Sequence, residues 1–423
     1  MLEFLKEYIK HKSVSGQEKN VQLDFTKPFL EEKMEWSEIE VIDISEEENR
    51  PNLNARLEGE GGGKNLLFNG HADVVDVPKD REKAWDIDPW EPIMKNNKIY
   101  GRGANDMKGS NTAMLWAIKA IMESNISLKG DILLSIVVGE ESAEQEIGTI
   151  PAVRSFLDQG IEIPFCINGE PTNNEIHTKS AGTFDFRITI PGKEVHTSQK
   201  NLIKYPQRFD IPVGKEVGVN VIPIMIKVLQ KLEELEHLWN MRYKDKIYGG
   251  GGFPKPDVQG VGPISVCSTM VNAGEYISSI PGEAEIEGQI YYPPFVDENK
   301  LWKELEETMK GLSNTNDWLK ENPIELEWKE KFHWPPYEVE PDHPGCQTLG
   351  KVVKEVTGQD PVYSGFKAVA DNAFIQKECD VDTISFGAGD LSMGSHGPNE
   401  YIPIEQLAKT AKVYAAMIQE WCN

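Results

Sequence analysis

Leu66-Leu67-Phe68-Asn69-Gly70-His71-Ala72-Asp73 decides how this chain is read. A short apolar run stops at a glycine, then presents a histidine and, two residues later, an aspartate. A run of that length and type predicts a buried strand. In a parallel α/β sheet, ligands gather beyond the carboxyl ends of the strands. His71 therefore stands where chemistry is expected.

The same design recurs along the chain. Asp131 to Val138 is a second apolar strand, followed by Gly139-Glu140-Glu141. Pro164 to Asn168 is a third, followed by Gly169-Glu170, and Asp382 to Gly387 is a last one, with His396 beyond it. Tyr100-Gly101-Arg102-Gly103-Ala104-Asn105-Asp106-Met107-Lys108-Gly109 leads into a helix with Met114, Ala117, Ile118 and Ile121 at helical spacing. These strands and helices predict an α/β fold with a mixed, mostly parallel sheet flanked by helices. Upstream, the first helix ends near His11, and Ser15-Gly16-Gln17-Glu18 has capping-box spacing. A second helix carries Val21, Phe25 and Leu30 on one side, with a kink expected at Pro28. Glu46-Glu47-Glu48-Asn49-Arg50-Pro51 reads as a solvated loop.

From Gly182 the pattern changes. Phe184, Phe186, Ile188 and Ile190 alternate with polar residues, as in a half-exposed antiparallel strand. Val219 to Leu238 is an amphipathic helix, Tyr248 to Gly262 a Gly/Pro-rich loop, and Ala284 to Tyr292 alternates again. A smaller α+β domain is therefore expected over 182–296, inserted between the parts 1–181 and 297–423 of the main domain.

The formal charge of −25 argues against a nucleic-acid partner, since phosphate binding needs clustered Lys and Arg. No apolar run is long enough to span a membrane, and charges interrupt the amphipathic start, unlike a signal peptide. The five cysteines are scattered without a CxxC pair. That predicts a reducing, cytoplasmic setting and excludes a cysteine zinc site.

His71, Asp106, Glu140, Glu141, Glu170 and His396 each lie past a strand or a Gly-rich turn. Taken singly, a histidine near a strand end is more often structural, and a glutamate after glycine more often solvated. Adjacent Glu140 and Glu141 at a strand end are the sharper sign, because two such carboxylates repel each other unless a cation or a shared proton compensates. Imidazole and carboxylate donors without thiolate suit Zn²⁺, Co²⁺ or Mn²⁺. The set is too large for one tetrahedral ion and suits two, with one carboxylate bridging and one left as general base.

Asn69-Gly70-His71-Ala72-Asp73-Val74-Val75, Gly101 to Gly109, Gly139-Glu140-Glu141, Asn168-Gly169-Glu170-Pro171-Thr172 and Ser395-His396-Gly397-Pro398-Asn399-Glu400-Tyr401 also form an ordered set. In it the chain resembles the dinuclear zinc amidohydrolase/peptidase family of acetylornithine deacetylase, succinyl-diaminopimelate desuccinylase, aminoacylase and bacterial glutamate carboxypeptidase. The resemblance covers almost the whole chain. It implies a zinc-exopeptidase-like catalytic domain with an inserted lid and dimerisation domain, a small-molecule amide substrate and a homodimer. His71 matches a ligand of one zinc, with Asp73 accepting the other N–H of its ring. Asp106 matches the bridging carboxylate, Glu170 the remaining ligand of the first ion, and Glu141 and His396 those of the second. Glu140 matches the general base acting on a metal-bridging water. In Gly192-Lys193-Glu194-Val195-His196-Thr197-Ser198, His196 matches a lid histidine that donates to the developing oxyanion. The remaining histidines match no motif.

Two departures concern the substrate. Many relatives carry an arginine in the strand after the Pro-Gly-Glu turn, and Ile286 to Pro293 has none. A lid asparagine is replaced by Ser278 or Ser279, and Gln199 to Gly218 is longer than usual. A carboxylate is thus in doubt as the substrate's anchoring group, and Gln289 or Tyr291 becomes a candidate for holding a neutral one. The leading expectation is a deacetylase- or desuccinylase-like amidohydrolase. A dipeptidase or carboxypeptidase with the same chemistry is the alternative, and a non-catalytic binding descendant is remote because no ligand or base is lost.

Overall fold

Leu66 and Phe68 enter one apolar core while Leu67 enters another, so the strand they share is covered on both faces. Every residue from Leu66 to His71 is buried in the computed structural model. The structure describes residues 1–44, 50–124, 126–202, 217–244, 263–315, 317–366 and 368–423. The chain forms two units, Met1–Ser180 with Tyr337–Asn423, and Ala181–Pro336.

The first unit opens with β1 (Glu38–Ile42), β2 (Asn52–Leu57), β3 (Leu66–His71), β4 (Ile93–Lys95), β5 (Lys98–Tyr100), β6 (Ile132–Val137), β7 (Cys166–Asn168) and β8 (Ile176–Ser180). The second holds β9 (Gly182–Pro191), β10 (Val195–His196), β11 (Ser265–Ala273), β12 (Ser279–Ile280), β13 (Glu283–Tyr292) and β14 (Glu325–Trp334). The first unit resumes with β15 (Tyr363–Phe366), β16 (Thr383–Ser385) and β17 (Tyr401–Pro403).

Eight strands form the main sheet in the order β1-β2-β6-β3-β7-β16-β8-β15. The central run β6-β3-β7-β16 is parallel, as is β8 with β15, and the other pairings are antiparallel. Helices Lys108–Met122, Pro344–Thr357 and Ile404–Trp421 bury their apolar faces in the larger core. Thr149–Asp158 and Asn372–Cys379 cover the opposite face through Val153, Phe156 and Ile375. Register then places the chemistry. His71 pairs with Val137 and Asn69 with Asn168, so the segments bearing His71, Glu140 and Glu170 leave the sheet at one end.

In the second unit an antiparallel sheet runs β11-β13-β9-β14. Ala284, Ile286, Ile290 and Tyr292 of β13 turn inward against helices Ile222–Arg242 and Glu298–Ser313. The chain returns to the first unit at Tyr337 and not at 297. Leu301, Leu305, Met309 and Leu312 lie in the second unit's core, and β14 pairs with β9, setting Leu326 opposite Ile188. An amphipathic helix and an alternating strand have the same periodicity whichever core they join, so periodicity does not choose between the two.

Two local readings also change. The helix bearing Val21 and Phe25 is wound as a π-helix over Asn20–Thr26, and Pro28 opens the α-helix Lys27–Lys33, where its missing N–H has little cost. Arg50 and Pro51 are buried and not solvated. Glu46 to Asn49, the Tyr248 to Gly262 loop and most of Gln199 to Gly218 lie outside the described residues. No helix among the described residues is long and apolar enough to cross a membrane.

Candidate metal centre

Gly70 is glycine because a helix presses on it. A Cβ there would meet Asn111 Oδ1 at 2.1 Å and Met107 Cε at 2.6 Å. The close approach lets Asn111 Nδ2 donate to the His71 carbonyl at 2.7 Å, fixing the backbone of the first histidine. His71 is buried, and its Nδ1 lies 2.9 Å from the carbonyl oxygen of Asp73. A ring nitrogen facing a carbonyl carries the proton, which leaves the Nε2 lone pair free. That Nε2 is buried without a hydrogen bond, 3.3 Å from Asp106 Oδ1 and 3.9 Å from Glu140 Oε2.

Asp73 therefore orients His71 through its main chain. Its carboxylate stands 3.7 Å from Nδ1 and is held elsewhere, accepting from Ser15 Oγ at 2.9 Å and from the Glu141 N–H at 3.1 Å. The resemblance implies the carboxylate as the acceptor of the ring N–H, whereas the carbonyl is the nearer oxygen. Asp73 also ties the Glu140–Glu141 loop to the end of β3.

Asp106 divides its oxygens. Oδ1 faces His71 Nε2, and Oδ2 lies 3.6 Å from His396 Nε2. His396, in a left-handed backbone conformation (φ 59°), is 2.9 Å from Glu141 Oε2. His71, Asp106 and Glu141 bring ligand atoms within 4.8 Å of one another. Glu170 is buried at the end of β7, where Asn168 Nδ2 donates to it at 3.4 Å and to Asn372 Oδ1 at 2.8 Å.

Protonation reflects this crowding. Burial pushes the Glu140 carboxyl well above its usual range, and Glu170, Glu141 and Asp371 push it further. Glu170 is raised well above its range by burial and by Asp106 and Asp371, and Glu141 is raised by burial and by Asp106. Burial opposes charge on His71, yet Asp106, Glu140, Asp73 and Glu170 outweigh it and hold the imidazole well above its ordinary value. His396 rises to about 9 through its hydrogen bond with Glu141. At Asp106 the neighbouring His71, His396 and Arg102 outweigh burial and lower the carboxyl. Carboxylates that cannot all remain ionised together gain most from a cation. The unpartnered Nε2 and the donor set fit a divalent metal.

Three supporting residues carried no assigned role in the sequence. Glu400 is fully buried and accepts from the N–H groups of Gly103, Asn105 and Asp106 at 3.0, 2.8 and 3.1 Å, and from Arg102 Nη1 at 2.5 Å. Its place in the Ser395 to Tyr401 motif was the available signal. Asp371 is a buried carboxyl raised to about 7 by burial, and no apolar strand leads into it to mark it. Lys108, buried at the start of its helix, donates to the carbonyls of Tyr8 and His11 at 3.0 and 2.9 Å and anchors the first helix.

His196 belongs to the second unit. It is exposed on β10, opposite Ser279 of β12, and Ser198 N donates to its Nδ1 at 3.2 Å. In the neutral ring that leaves the proton on Nε2, the donor form.

Comparison with known proteins adds the family. The model of "Peptidase family M20/M25/M40" matches residues 67–420. N-formyl-4-amino-5-aminomethyl-2-methylpyrimidine deformylase of Bacillus subtilis is 29% identical over 384 residues, covering 88% of this chain and 83% of its own. Succinyl-diaminopimelate desuccinylase of Gluconacetobacter diazotrophicus is 28% identical over 375 residues, covering 87% and 84%. A metallo-carboxypeptidase of the M20 family from Sulfolobus solfataricus has the same fold, with a TM-score of 0.70 at 18% identity, covering 99% of this chain and 98% of its own. The chain belongs to peptidase family M20/M25/M40, and it is a metallo-amidohydrolase or metallopeptidase of that family.

Proposed function

We propose that this chain hydrolyses the amide bond of a small N-acylated amine or amino acid, using two divalent ions held by His71, Asp106, Glu141, Glu170 and His396. The observation that carries this is Asp106, with one oxygen toward His71 and the other toward His396. It suits a carboxylate shared between two sites, one completed by Glu170 and the other by Glu141 and His396. The donor set favours Zn²⁺, with Co²⁺ and Mn²⁺ as alternatives. When bound, such ions polarise the scissile carbonyl and lower the pKa of the attacking water.

The remaining work falls to side chains. Glu140 takes a proton from the attacking water and delivers it to the leaving amine. His196 is assigned as the donor to the carbonyl oxygen as charge develops there, on the resemblance of its motif alone and not on any placement beside the metal centre. Asp73 keeps the His71 lone pair aimed at the centre through its carbonyl.

The lid strand supports an anchoring group other than a carboxylate. Gln289 donates to Asp185 at 3.0 Å and accepts from the Tyr291 hydroxyl at 3.0 Å. The cations on that sheet face, Arg187 and Lys329, are held by Glu287, and Arg187 also reaches Glu327. A neutral or basic amine product, as in the deformylase relative's name, fits better than an α-carboxylate. Homodimerisation through the second unit belongs to the same reading, since edge strand β11 exposes Met270 and Val271. The five unpaired cysteines support a reducing, cytoplasmic setting.

The test is a panel of N-formyl, N-acetyl and N-succinyl amines and amino acids set against dipeptides, with Zn²⁺- or Co²⁺-loaded protein. Turnover of N-acyl compounds is expected. Turnover of dipeptides alone would move the assignment to a peptidase, and turnover of nothing would favour a binding protein.

A further inference from the structure

Ser15-Gly16-Gln17-Glu18 has the spacing of a capping box but caps nothing: the helix that follows has no side-chain cap. Ser15 Oγ donates to the Asp73 carboxylate at 2.9 Å. Glu18, fully buried, accepts from the Gly16 N–H at 2.9 Å and takes both Nε and Nη2 of Arg50, at 3.1 and 2.8 Å. The Arg50 guanidinium then continues outward. Its Nη1 donates to Glu144 Oε2 at 2.6 Å, and Nη2 reaches Ser142 Oγ at 3.4 Å.

Glu144 and Ser142 close the loop that carries Glu140 and Glu141. The Glu144 N–H donates to Gly139 O at 2.8 Å and the Ala143 N–H to Glu140 O at 3.1 Å. Gly139 (φ 80°) and Ala143 (φ 58°) are both left-handed, a conformation that costs a non-glycine residue energy and persists where surroundings enforce it. The loop thus has two handles. Asp73 grips the Glu141 N–H and is held by Ser15, while Arg50 grips Glu144 and Ser142 and is held by Glu18. Both handles are fastened to one short segment near the amino terminus.

We propose that Arg50 is a positioning residue for the metal centre: by joining Glu18 to Glu144 and Ser142 it sets the loop that presents Glu140 and Glu141, and so governs the ion site completed by Glu141 and His396. The proposal rests on the ligand assignment above. Arg50 has no part in the ligand set itself. Its planar fork gives Glu18 two parallel bonds while Nη1 reaches Glu144, a rigid bidentate geometry that a lysine's single ammonium does not reproduce.

The test uses full-length, metal-free protein titrated with Co²⁺ alone, followed by visible absorption, with thermal unfolding measured alongside. Glu144→Gln is the first variant, because that side chain is 40% exposed and Arg50 keeps both bonds to Glu18. Arg50→Lys is the second, keeping the charge but losing the fork. Wild type is expected to bind Co²⁺ in two steps. In each variant one step weakens by about tenfold or more and its absorption band changes, while the other step stays within about twofold. Unchanged Co²⁺ binding with a lowered unfolding temperature would make Arg50 merely structural and overturn the proposal. Equal weakening of both steps would overturn it too. If Arg50→Lys does not fold, Glu144→Gln decides alone. A wild type that binds no Co²⁺ would refute the metal assignment itself.

Discussion

Glu400→Ala removes a carboxylate that joins two distant parts of the chain, since Glu400 and Arg102 are 298 residues apart in sequence. Truncation strands Arg102, which is 3% exposed and, among the described residues, keeps the Gly397 carbonyl at 3.2 Å and the face of Trp85 at 5.3 Å. Breaking one side of a buried ion pair costs about 3–5 kcal/mol, because the surviving charge stays buried without its partner. At roughly 2 °C per kcal/mol for a unit of this size, the first unit should melt roughly 6–10 °C lower. The Asp106 N–H loses its acceptor as well, so Co²⁺ affinity should fall by about 10- to 100-fold. Calorimetry and Co²⁺ titration of metal-free protein measure both effects. Glu400→Gln, which keeps one acceptor oxygen, should lose less. An Ala variant that melts within about 1 °C of wild type and binds Co²⁺ equally well would refute the claim that Glu400 holds the Gly101 to Asp106 loop.

Glu140→Gln should retain two metals by elemental analysis yet lose turnover by about 10²-fold or more, as expected for a general base; loss of metal would reassign Glu140 as a ligand. His196→Ala should lower kcat while leaving metal content unchanged, and undiminished kcat would remove it from the reaction. Metal binding should also release protons. His396 is raised to about 9, so it carries a proton at pH 7, whereas metal ligands must be deprotonated. Affinity should therefore fall as pH drops below about 9, by about tenfold per pH unit for each proton displaced. Calorimetry in buffers of different ionisation enthalpy counts those protons, and a count of zero would contradict the cluster's described state.

What the sequence revealed was local in kind. A buried strand that stops at glycine and then offers a metal-competent side chain is written in consecutive residues, and so were His71, Glu140 and Glu170. Tertiary partnership was harder to read. The Glu298–Ser313 helix and β14 have honest periodicity, but periodicity does not say which core they enter. Glu18 sits at capping-box spacing from Ser15, yet its partner is Arg50, which reads locally as part of a charged loop. Asp73 was marked by its position beside the histidine, and only the folded backbone reveals that its carbonyl meets Nδ1 while its carboxylate serves Ser15 and Glu141. Asp371 was invisible because nothing in its neighbourhood repeats the strand-end pattern.

The central claim is a two-ion centre shared at Asp106. Its most direct test is to strip the protein with a chelator and titrate Zn²⁺ or Co²⁺ back while following bound metal and amide hydrolysis together. The account predicts two ions bound per chain, with hydrolysis lost on stripping and restored as the centre fills. Saturation at a single ion, or hydrolysis that survives complete removal of metal, would contradict it.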